Sequence, residues 1–183
     1  DQRGSVLREA VTEQYTVMAY RLHPHAASYT EEGALRWIEA STPMLYDVAA
    51  IQYLYGANLS YHRGNDTYYI SDSSSMTVWD AGGIDTIAVP SGLAYTATTS
   101  SINGFATPYT PWIIDLREGH SSAAQWNWWA YGRPPELYYM YRGELTIAYG
   151  VTIENAIGST LDDRITGNAV ANYLDALAGN DIV

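Results

Sequence analysis

The clearest pattern of apolar positions in the chain lies between Thr42 and Gly56, in the run TPMLYDVAAIQYLYG. Apolar residues recur there at helical spacing and also fill the positions beside that spacing, so the pattern predicts one long helix with most of its circumference buried. Thr42 can cap its start, Pro43 suits the first helical position, and Gly56 suits the end. We therefore expect a core helix over residues 42–56.

After residue 60 the pattern changes to short β-prone runs separated by Gly, Asp, Asn and Ser. This change predicts a boundary near residue 60 and a β-rich segment from 61 to 183. The strand candidates are TYYIS (67–71), MTVWD (76–80), DTIAV (85–89), WIIDL (112–116) and ELTIAYGVTI (144–153). The expected fold is mainly β, preceded by one helix and an irregular first segment.

The end of the chain carries a repeat of nine residues, which is visible when GSTLDDRIT, GNAVANYLD and ALAGNDIV are stacked from Gly158, Gly167 and Ala176. An acid or amide stands at position six of the blocks, namely Asp163, Asn172 and Asp181, and an aliphatic residue stands at position eight, namely Ile165, Leu174 and Val183. This period is typical of a parallel β-roll that binds calcium between its turns. Because the third block is incomplete, we expect the natural polypeptide to continue.

Charge and composition narrow the ligands that such a fold would take. Twenty acidic residues face nine basic ones, for a net charge of −11, so the surface repels nucleic acid and anionic lipid and attracts cations. The absence of cysteine excludes disulfides and thiolate zinc sites. The 17 tyrosines and 6 tryptophans, against one phenylalanine, suit strand faces and binding surfaces. The sequence predicts no membrane span and no signal peptide at its start.

Four further stretches of the chain carry recognisable motifs: YTVMAY (15–20), STPMLYDVAAIQYLYGAN (41–58), WDAGGIDT (79–86) and GVTIENAIG (150–158). Together, in their order and most of their spacing, they resemble the serralysin family of secreted metzincin zinc proteases. The resemblance implies a metzincin C-terminal subdomain over residues 1–60 and a right-handed, RTX-like parallel β-roll over residues 61–183. It also implies a bacterial protein that is exported to the extracellular space by the type I route.

The resemblance assigns Met18 and Tyr20 to a Met-turn, with Met18 as the floor beneath a catalytic Zn²⁺ and Tyr20 as a group that reaches the metal. The alternative is that both side chains are simply packed in a turn. The sequence contains no HExxH motif, so we expect this chain alone to be inactive and any Zn²⁺ to belong to a full-length protease. His23 and His25 could hold a metal weakly, although exposed loop histidines are the simpler interpretation.

Calcium is the ligand that the sequence supports best, because Ca²⁺ prefers many oxygens and the turns RGNDT and WDAGGIDT offer carboxylates among Gly and Asn. By resemblance, one ion would take the carboxylates of Asp80 and Asp85 and the carbonyls of Arg63, Asn65, Thr67 and Gly82. By the same resemblance, a second ion would take Gly83, Thr152 and Glu154, with Asp85 bridging the two. The alternative is an ordinary Asp-Gly turn that caps a hairpin.

The nonapeptide blocks are weaker calcium candidates, because most of the family's glycines at positions one, two and four are replaced. Asp163 and Asp181 can still each ligate an ion, whereas the asparagine of the second block has lost the charge. The alternative is a metal-free rung of the roll, held by Ile165, Leu174 and Val183.

Residues 125–141, within an insert at 93–142, are dense in Trp and Tyr and depart from the family pattern. The alternation of Trp126 and Trp128 favours a packing cover over the roll, while a platform for glycan or partner protein and a self-association patch stay open. The sequence thus predicts the calcium-binding β-roll portion of a secreted serralysin-like zinc metalloprotease. The alternative function is a non-catalytic, calcium-dependent adhesion or recognition module that uses the aromatic insert.

Overall fold

A computed structural model describes residues 12–22, 27–29, 35–37, 39–71, 74–91, 112–127 and 139–183, with the backbone alone described at 27–29, 35–37, 124–127 and 139–142. This part of the chain is mainly β with one helix, as the sequence predicts. The helix is α1 (Leu45–Tyr55), and the strands are β1 (Ala27–Tyr29), β2 (Leu35–Trp37), β3 (Thr67–Tyr69), β4 (Met76–Val78), β5 (Thr86–Ala88), β6 (Trp112–Asp115), β7 (Ser121–Asn127), β8 (Tyr139–Ile147), β9 (Asn155–Ser159), β10 (Arg164–Thr166) and β11 (Tyr173–Leu177).

Two larger sheets hold most of the described strands. One is four-stranded, in the order β11, β9, β5 and β3, and all of its neighbouring pairs are parallel. The other is five-stranded, in the order β10, β6, β7, β8 and β4. From β3 to β6 and from β9 to β11, successive strands alternate between the two sheets. The described turns between these strands therefore carry the chain from one sheet to the other.

β7 is a strand that the list of candidates did not contain. It pairs antiparallel with both β6 and β8, so the five-stranded sheet is mixed rather than parallel throughout. The predicted strand ELTIAYGVTI is also wrong in its second half, because β8 ends at Ile147 and the chain turns at Tyr149 and Gly150. Gly150 has a φ of 81°, a left-handed conformation that breaks the extended backbone of a strand.

The core lies between the two larger sheets. Apolar side chains alternate with polar ones along the strands, so each sheet presents an apolar face to the other. One continuous cluster of buried side chains contains residues from both sheets, among them Ile87 of β5, Ile114 of β6 and Ile147 of β8. The burial of these aliphatic groups holds the two sheets together and thereby fixes the turns at their edges.

α1 begins later than the sequence predicts. Its N-cap is Met44, whose N–H donates to a carboxylate oxygen of Asp47 at 2.9 Å, so the predicted capping role of Thr42 is wrong. The Oγ1 of Thr42 instead accepts a hydrogen bond from the backbone N–H of Thr77 in β4 at 2.8 Å. The predicted end at Gly56 is confirmed, with a φ of 81° and an N–H that bonds back to the helix.

The prediction that α1 is buried around most of its circumference is also wrong. Leu45 is buried and Val48 packs against the core, but Ile51, Tyr53 and Leu54 are exposed. Apolar residues are spread around the whole helix, and only one of its faces can lie against the sheets. Within the residues that the structure describes, no helix has the length and apolar character needed to cross a membrane.

An ion pair closes the end of β6, where Asp115 is buried and Arg117 is exposed. Arg117 donates from Nη2 and Nε to the two carboxylate oxygens of Asp115, at 2.5 and 2.9 Å. Burial by itself would raise the pKa of Asp115, but the hydrogen bonds from Arg117 and the charges of His120 and Arg117 hold that pKa below its usual value. The carboxylate is therefore ionised at neutral pH.

Replacing Arg117 by glutamine should lower the melting temperature near pH 7 and have a smaller effect in acid. Because the pKa of Asp115 is lower in the folded chain than in the unfolded chain, the pair stabilises the fold above the unfolded pKa of about 4, and this contribution is lost as the pH falls through the folded value. The measurement is the melting temperature of both proteins between about pH 7 and pH 2. Arg164→Gln, an exposed arginine on β10, is the control, and a difference that is independent of pH would contradict the prediction.

Candidate metal centre

Three turns that precede neighbouring strands of the four-stranded sheet meet at one edge of the fold. Residues 61–66 lead into β3, residues 80–85 into β5, and residues 150–154 into β9. Because these strands are parallel and adjacent, the turns before them lie side by side, and the Thr86 N–H donates to the carbonyl of Asp66 at 2.9 Å. The turn at 80–85 therefore lies between the other two.

Asp85 is at the centre of this edge and is 0% exposed. Its Oδ1 accepts the backbone N–H of Asp66 at 2.8 Å, and its own N–H donates to Oε2 of Glu154 at 2.8 Å. Its Oδ2 is buried and has no hydrogen-bond partner among the described residues. Burial raises the pKa of Asp85, the hydrogen bond from Asp66 opposes this, and the charges of Asp80, Glu154 and Asp66 raise it further. A cation at Oδ2 would offset both the burial and the repulsion.

Asp80 is a second buried carboxylate at the same edge, 2% exposed. Its Oδ1 accepts the N–H of Gly82 at 2.6 Å, and its Oδ2 accepts the hydroxyl of Tyr68 at 2.5 Å. Burial and the hydrogen bond to Asp80 raise the pKa of Tyr68 above its usual range, so the hydroxyl stays a donor at neutral pH. Both aspartates are thus held inside the turns rather than in solvent.

The turns at 61–66 and 80–85 touch through their backbones. A Cβ atom placed on Gly83 would lie only 1.8 Å from the carbonyl oxygen of Gly64. The N–H of Ile84 also donates across the gap to Oδ1 of Asn65, at 2.9 Å. This close approach collects backbone carbonyls and carboxylates in one place, which is the set of donors that Ca²⁺ prefers.

The structure brings the turns that carry the predicted calcium ligands to this edge. Arg63 and Asn65 lie in the first turn, Thr67 begins β3, Asp80, Gly82, Gly83 and Asp85 lie in the second turn, and Thr152 and Glu154 lie in the third. The side chains of Arg63 and Thr152 are exposed. The alternative of a turn that caps a hairpin is wrong, because residues 80–85 connect β4 and β5, which belong to different sheets.

A similar pair of turns lies at the other edge, where the chain passes into the five-stranded sheet. The N–H of Asp163 donates to Oδ1 of Asp181 at 2.8 Å, as the N–H of Asp66 does to Asp85. A Cβ atom placed on Gly179 would lie 2.4 Å from the backbone carbonyl oxygen of the neighbouring turn. The structure therefore brings Asp163 and Asp181 together in a second copy of the same turn geometry.

Asp163 differs from Asp85 because both of its carboxylate oxygens have protein donors. Oδ2 accepts the N–H of Ser159 at 2.5 Å, and Oδ1 accepts the Ser159 hydroxyl at 3.1 Å and the Trp112 N–H at 3.2 Å. Burial raises the pKa of Asp163, while the hydrogen bonds from Ser159 and Trp112 oppose the change. The carboxylate is satisfied by the protein itself, as the metal-free alternative requires.

The rung predicted from position eight of the repeat is only partly present. Ile165 is buried and Leu174 packs against the core, but Val183 is 70% exposed. Val183 follows the single bridge that Ile182 forms with Arg164, and no described strand covers it. The part of the prediction that placed Val183 in the rung is therefore wrong.

Asn172, at position six of the second block, makes hydrogen bonds that a carboxylate could not make. Its Nδ2 donates to the carbonyl of Glu154 at 3.1 Å and to Oδ1 of Asn168 at 2.9 Å. Nδ2 of Asn168 donates in turn to the carbonyls of Leu116 and Ile153, at 3.0 and 2.8 Å. The side-chain amides of Asn168 and Asn172 thus satisfy backbone carbonyls next to β9 and β11 without a cation.

Met18 and Tyr20 lie in a turn that α1 holds in place. Asp47 of α1 accepts the Thr16 hydroxyl at 2.5 Å and the Val17 N–H at 2.8 Å. The side chain of Met18 is 79% exposed and that of Tyr20 is fully exposed. The alternative that both are packed into the turn is therefore wrong. His23, His25 and residues 128–138 of the aromatic stretch lie outside the described residues.

Sequence reasoning missed three residues of this edge: His62, Asp66 and Tyr68. Nδ1 of His62 lies 3.1 Å from Oδ2 of Asp66, and ligand atoms of His62, Asp66 and Asp80 all lie within 4.8 Å of one another. The sequence did contain one signal for Asp66. Both β3 and β5 begin with a threonine that directly follows an aspartate, Asp66 in the first case and Asp85 in the second.

Comparison with known proteins identifies relatives, although no family model matches the chain. It is 33% identical over 178 residues to the metalloprotease AprA of Pseudomonas entomophila, and the match covers 89% of this chain and 30% of the relative. It is 31% identical over 175 residues to the serralysin of Proteus mirabilis, with 88% of this chain and 28% of the relative covered. Serralysin C of Dickeya chrysanthemi is 31% identical over 168 residues, with 84% and 28% covered.

The chain thus spans less than a third of the length of these relatives, while most of its own length is matched. The matches come from several bacterial genera; two of these relatives are named serralysins and the third a metalloprotease. The chain belongs to the serralysin family.

Proposed function

We propose that this chain is the calcium-binding β-roll portion of a secreted, serralysin-like zinc metalloprotease. The observation that carries the proposal is Oδ2 of Asp85, a buried carboxylate oxygen without a partner among the described residues, beside the acids Asp66, Asp80 and Glu154. A buried polar atom left unpaired costs free energy, and a divalent cation is the ligand that relieves an acidic group of this kind. The names of the relatives support a protease family.

Calcium would be held by donors from the three adjacent turns. One ion takes Asp80, Asp85 and the carbonyls of Arg63, Asn65, Thr67 and Gly82, and a second takes Gly83, Asp85, Thr152 and Glu154. Bound Ca²⁺ supplies the positive charge that neutralises the clustered carboxylates. Asp163 and Asp181 would each ligate an ion more weakly, because protein donors satisfy both oxygens of Asp163 and the described residues there offer no buried, unpartnered carboxylate oxygen like Oδ2 of Asp85.

The alternation of strands between two sheets supports a right-handed, RTX-like parallel β-roll over residues 61–183, into which the β7–β8 pair is inserted. In such a roll each turn of the chain stacks on the next, so a cation between turns stabilises the stack. Residues 1–60, with α1, would form the C-terminal subdomain of a metzincin-like domain.

A catalytic Zn²⁺ of the full protein would lie against the turn of Met18 and Tyr20. Both side chains are exposed, so they are accessible to such an ion. Zinc supplies an activated water for the hydrolysis of peptide bonds. Since the sequence has no HExxH motif, we expect this chain alone not to hydrolyse peptide bonds. The proposed location is extracellular, where calcium is millimolar and sites of modest affinity are filled.

Calcium titration of the purified chain tests the proposal. After treatment with EGTA and its removal, CaCl₂ up to about 5 mM should restore the β-sheet circular dichroism, and calorimetry should record bound calcium. MgCl₂ at the same concentration is the control, because Mg²⁺ is smaller and retains its waters. No calcium binding in this range would overturn the calcium assignment, and casein hydrolysis by the chain alone would overturn the assignment of catalysis to another part of the protein.

A further inference from the structure

His62 brings a nitrogen donor to the acidic edge, and the calcium site as assigned above does not use it. Its Nδ1 lies 3.1 Å from Oδ2 of Asp66, and ligand atoms of His62, Asp66 and Asp80 lie within 4.8 Å of one another. In a tetrahedral zinc site with bonds of about 2.1 Å, neighbouring ligand atoms lie about 3.4 Å apart. The separation of His62 and Asp66 is close to that distance, and the ligand atom of Asp80, which lies within 4.8 Å of both, would have to move closer when a metal binds.

A second observation, the same one that carries the proposed calcium site, also indicates a cation beside the cluster. Oδ2 of Asp85 is fully buried and has no hydrogen-bond partner among the described residues, while Oδ1 of the same carboxylate accepts the N–H of Asp66. The negative charge next to the cluster is therefore not neutralised by a described donor at that oxygen. Positive charge placed between His62, Asp66 and Asp80 would offset it.

Among the described residues, His120 and Asp115 form another pair of a histidine and a carboxylate, and this pair is unsuited to a metal. Nδ1 of His120 lies 3.5 Å from Oδ2 of Asp115, but the guanidinium of Arg117 donates to both oxygens of that carboxylate. A cation would be repelled by Arg117 and would have to displace two hydrogen bonds. The carboxylate of Asp80 also accepts two hydrogen bonds, from Gly82 and Tyr68, but both donors are neutral. The carboxylates around His62 carry no arginine among the hydrogen bonds and ion pairs that the structure gives them.

We propose that His62, Asp66 and Asp80 form a binding site for a divalent transition ion of the zinc class, separate from the catalytic zinc of the family and overlapping the calcium site at Asp80. Imidazole nitrogen suits Zn²⁺ and contributes little to Ca²⁺, which prefers oxygen ligands, so His62 selects the metal. Three protein ligands leave one position of the tetrahedron for water. The inference rests on the proposed function through Asp85, whose unpaired oxygen supports a cation in both cases, and through Asp80, which both ions need, so the two ions compete.

The experiment is calorimetric titration of the purified chain with ZnCl₂ at two CaCl₂ concentrations, about 0.2 and 5 mM. Circular dichroism checks that every sample is folded at both concentrations. We expect zinc to bind, and the higher calcium concentration to weaken that binding because Asp80 is shared. His62→Asn and Asp66→Asn should each lower the zinc affinity about tenfold or more, since each loses a ligand. His120→Asn is the matched control and should leave the affinity unchanged.

If His62→Asn leaves the zinc affinity unchanged, the inference is overturned. This holds whether zinc binding is then lost on replacing His23 and His25 or persists in their absence. Zinc binding that is independent of calcium would overturn the sharing of Asp80. The proposed calcium function fails separately, through absence of calcium binding in its own titration. Zinc binding that depends on His62 would stand even then, because neither His62 nor Asp66 contributes its side chain to the calcium site.

Discussion

Calcium should raise the melting temperature of the wild-type chain, and Asp85→Asn should remove most of that increase. At a calcium concentration of 100 times the dissociation constant, binding to the folded state alone contributes about 2.7 kcal/mol, or about 5–10 °C for a chain of this size. Asp85 carries the effect because its Oδ2 is the buried carboxylate oxygen without a partner and because it lies between the turns before β3 and β9. Asparagine keeps the shape of the side chain and removes the charge.

The order of stability should reverse when calcium is removed. In EGTA, Asp85→Asn should melt at a higher temperature than the wild type, because the amide no longer repels Asp80, Glu154 and Asp66 and carries no buried charge. Differential scanning calorimetry of both proteins, with and without calcium, measures the reversal. Asp175→Asn, which removes a carboxylate of β11 that accepts a local hydrogen bond from Leu177, is the control and should keep the full calcium shift. A full calcium shift in Asp85→Asn would contradict the site.

Much of the fold could be predicted from the sequence where the pattern is local. The runs TYYIS, MTVWD, DTIAV and WIIDL contain β3, β4, β5 and β6, because β-branched and aromatic residues in short runs between turn residues are strong signals. The same reasoning missed β7, whose sequence begins with Ser, Ser, Ala, Ala and Gln. These residues are poor strand formers, so the pairing of β7 with β6 and β8 decides its structure rather than its own preference.

The burial of α1 could not be predicted, because it depends on what lies next to the helix. The sequence gives apolar residues on every side of α1, which indicates burial in general but does not indicate a neighbour. In the structure Leu45 is buried and Val48 packs against the core, while Tyr53 and Leu54 are exposed. The capping pattern at Thr42 was equally misleading. Its Oγ1 accepts the N–H of Thr77 in β4, a partner that only the folded chain brings near.

The residues of the candidate site also divide into those that a local sequence pattern predicts and those that only the fold brings together. Asp80 and Asp85 could be proposed from WDAGGIDT alone, because acids among glycines in one turn are a local pattern. Asp66 and Tyr68 could not, since their contacts with Asp85 and Asp80 follow from the register in which β3 lies next to β5. His62 is farther from any motif, and only the fold brings its ring to Asp66 and places the pair beside Asp80.

Gly83→Ala should be the most damaging single methyl group that can be added to this edge. The new Cβ would lie 1.8 Å from the carbonyl oxygen of Gly64, which is backbone and cannot rotate away, so the two turns must separate. Forcing extra volume into a tight contact typically costs about 1–3 kcal/mol, which corresponds to a fall of about 3–10 °C in melting temperature. The separation also moves Asp85 away from the turn before β3, so the calcium shift should shrink as well.

Gly64→Ala supplies the matched control, because it adds the same methyl group on the other side of the same contact. A Cβ on Gly64 meets nothing within 4 Å, and neither Gly64 nor Gly83 has the positive φ that would strain an alanine. Alanine also restricts the unfolded chain, which stabilises a protein by about 0.4–1 kcal/mol where the conformation allows it. We therefore expect Gly64→Ala to melt at or slightly above the wild-type temperature with its calcium shift intact. If thermal unfolding in calcium shows that both variants lose stability equally, the close approach of the two turns is not what holds the site together, and loss of glycine flexibility explains the result instead.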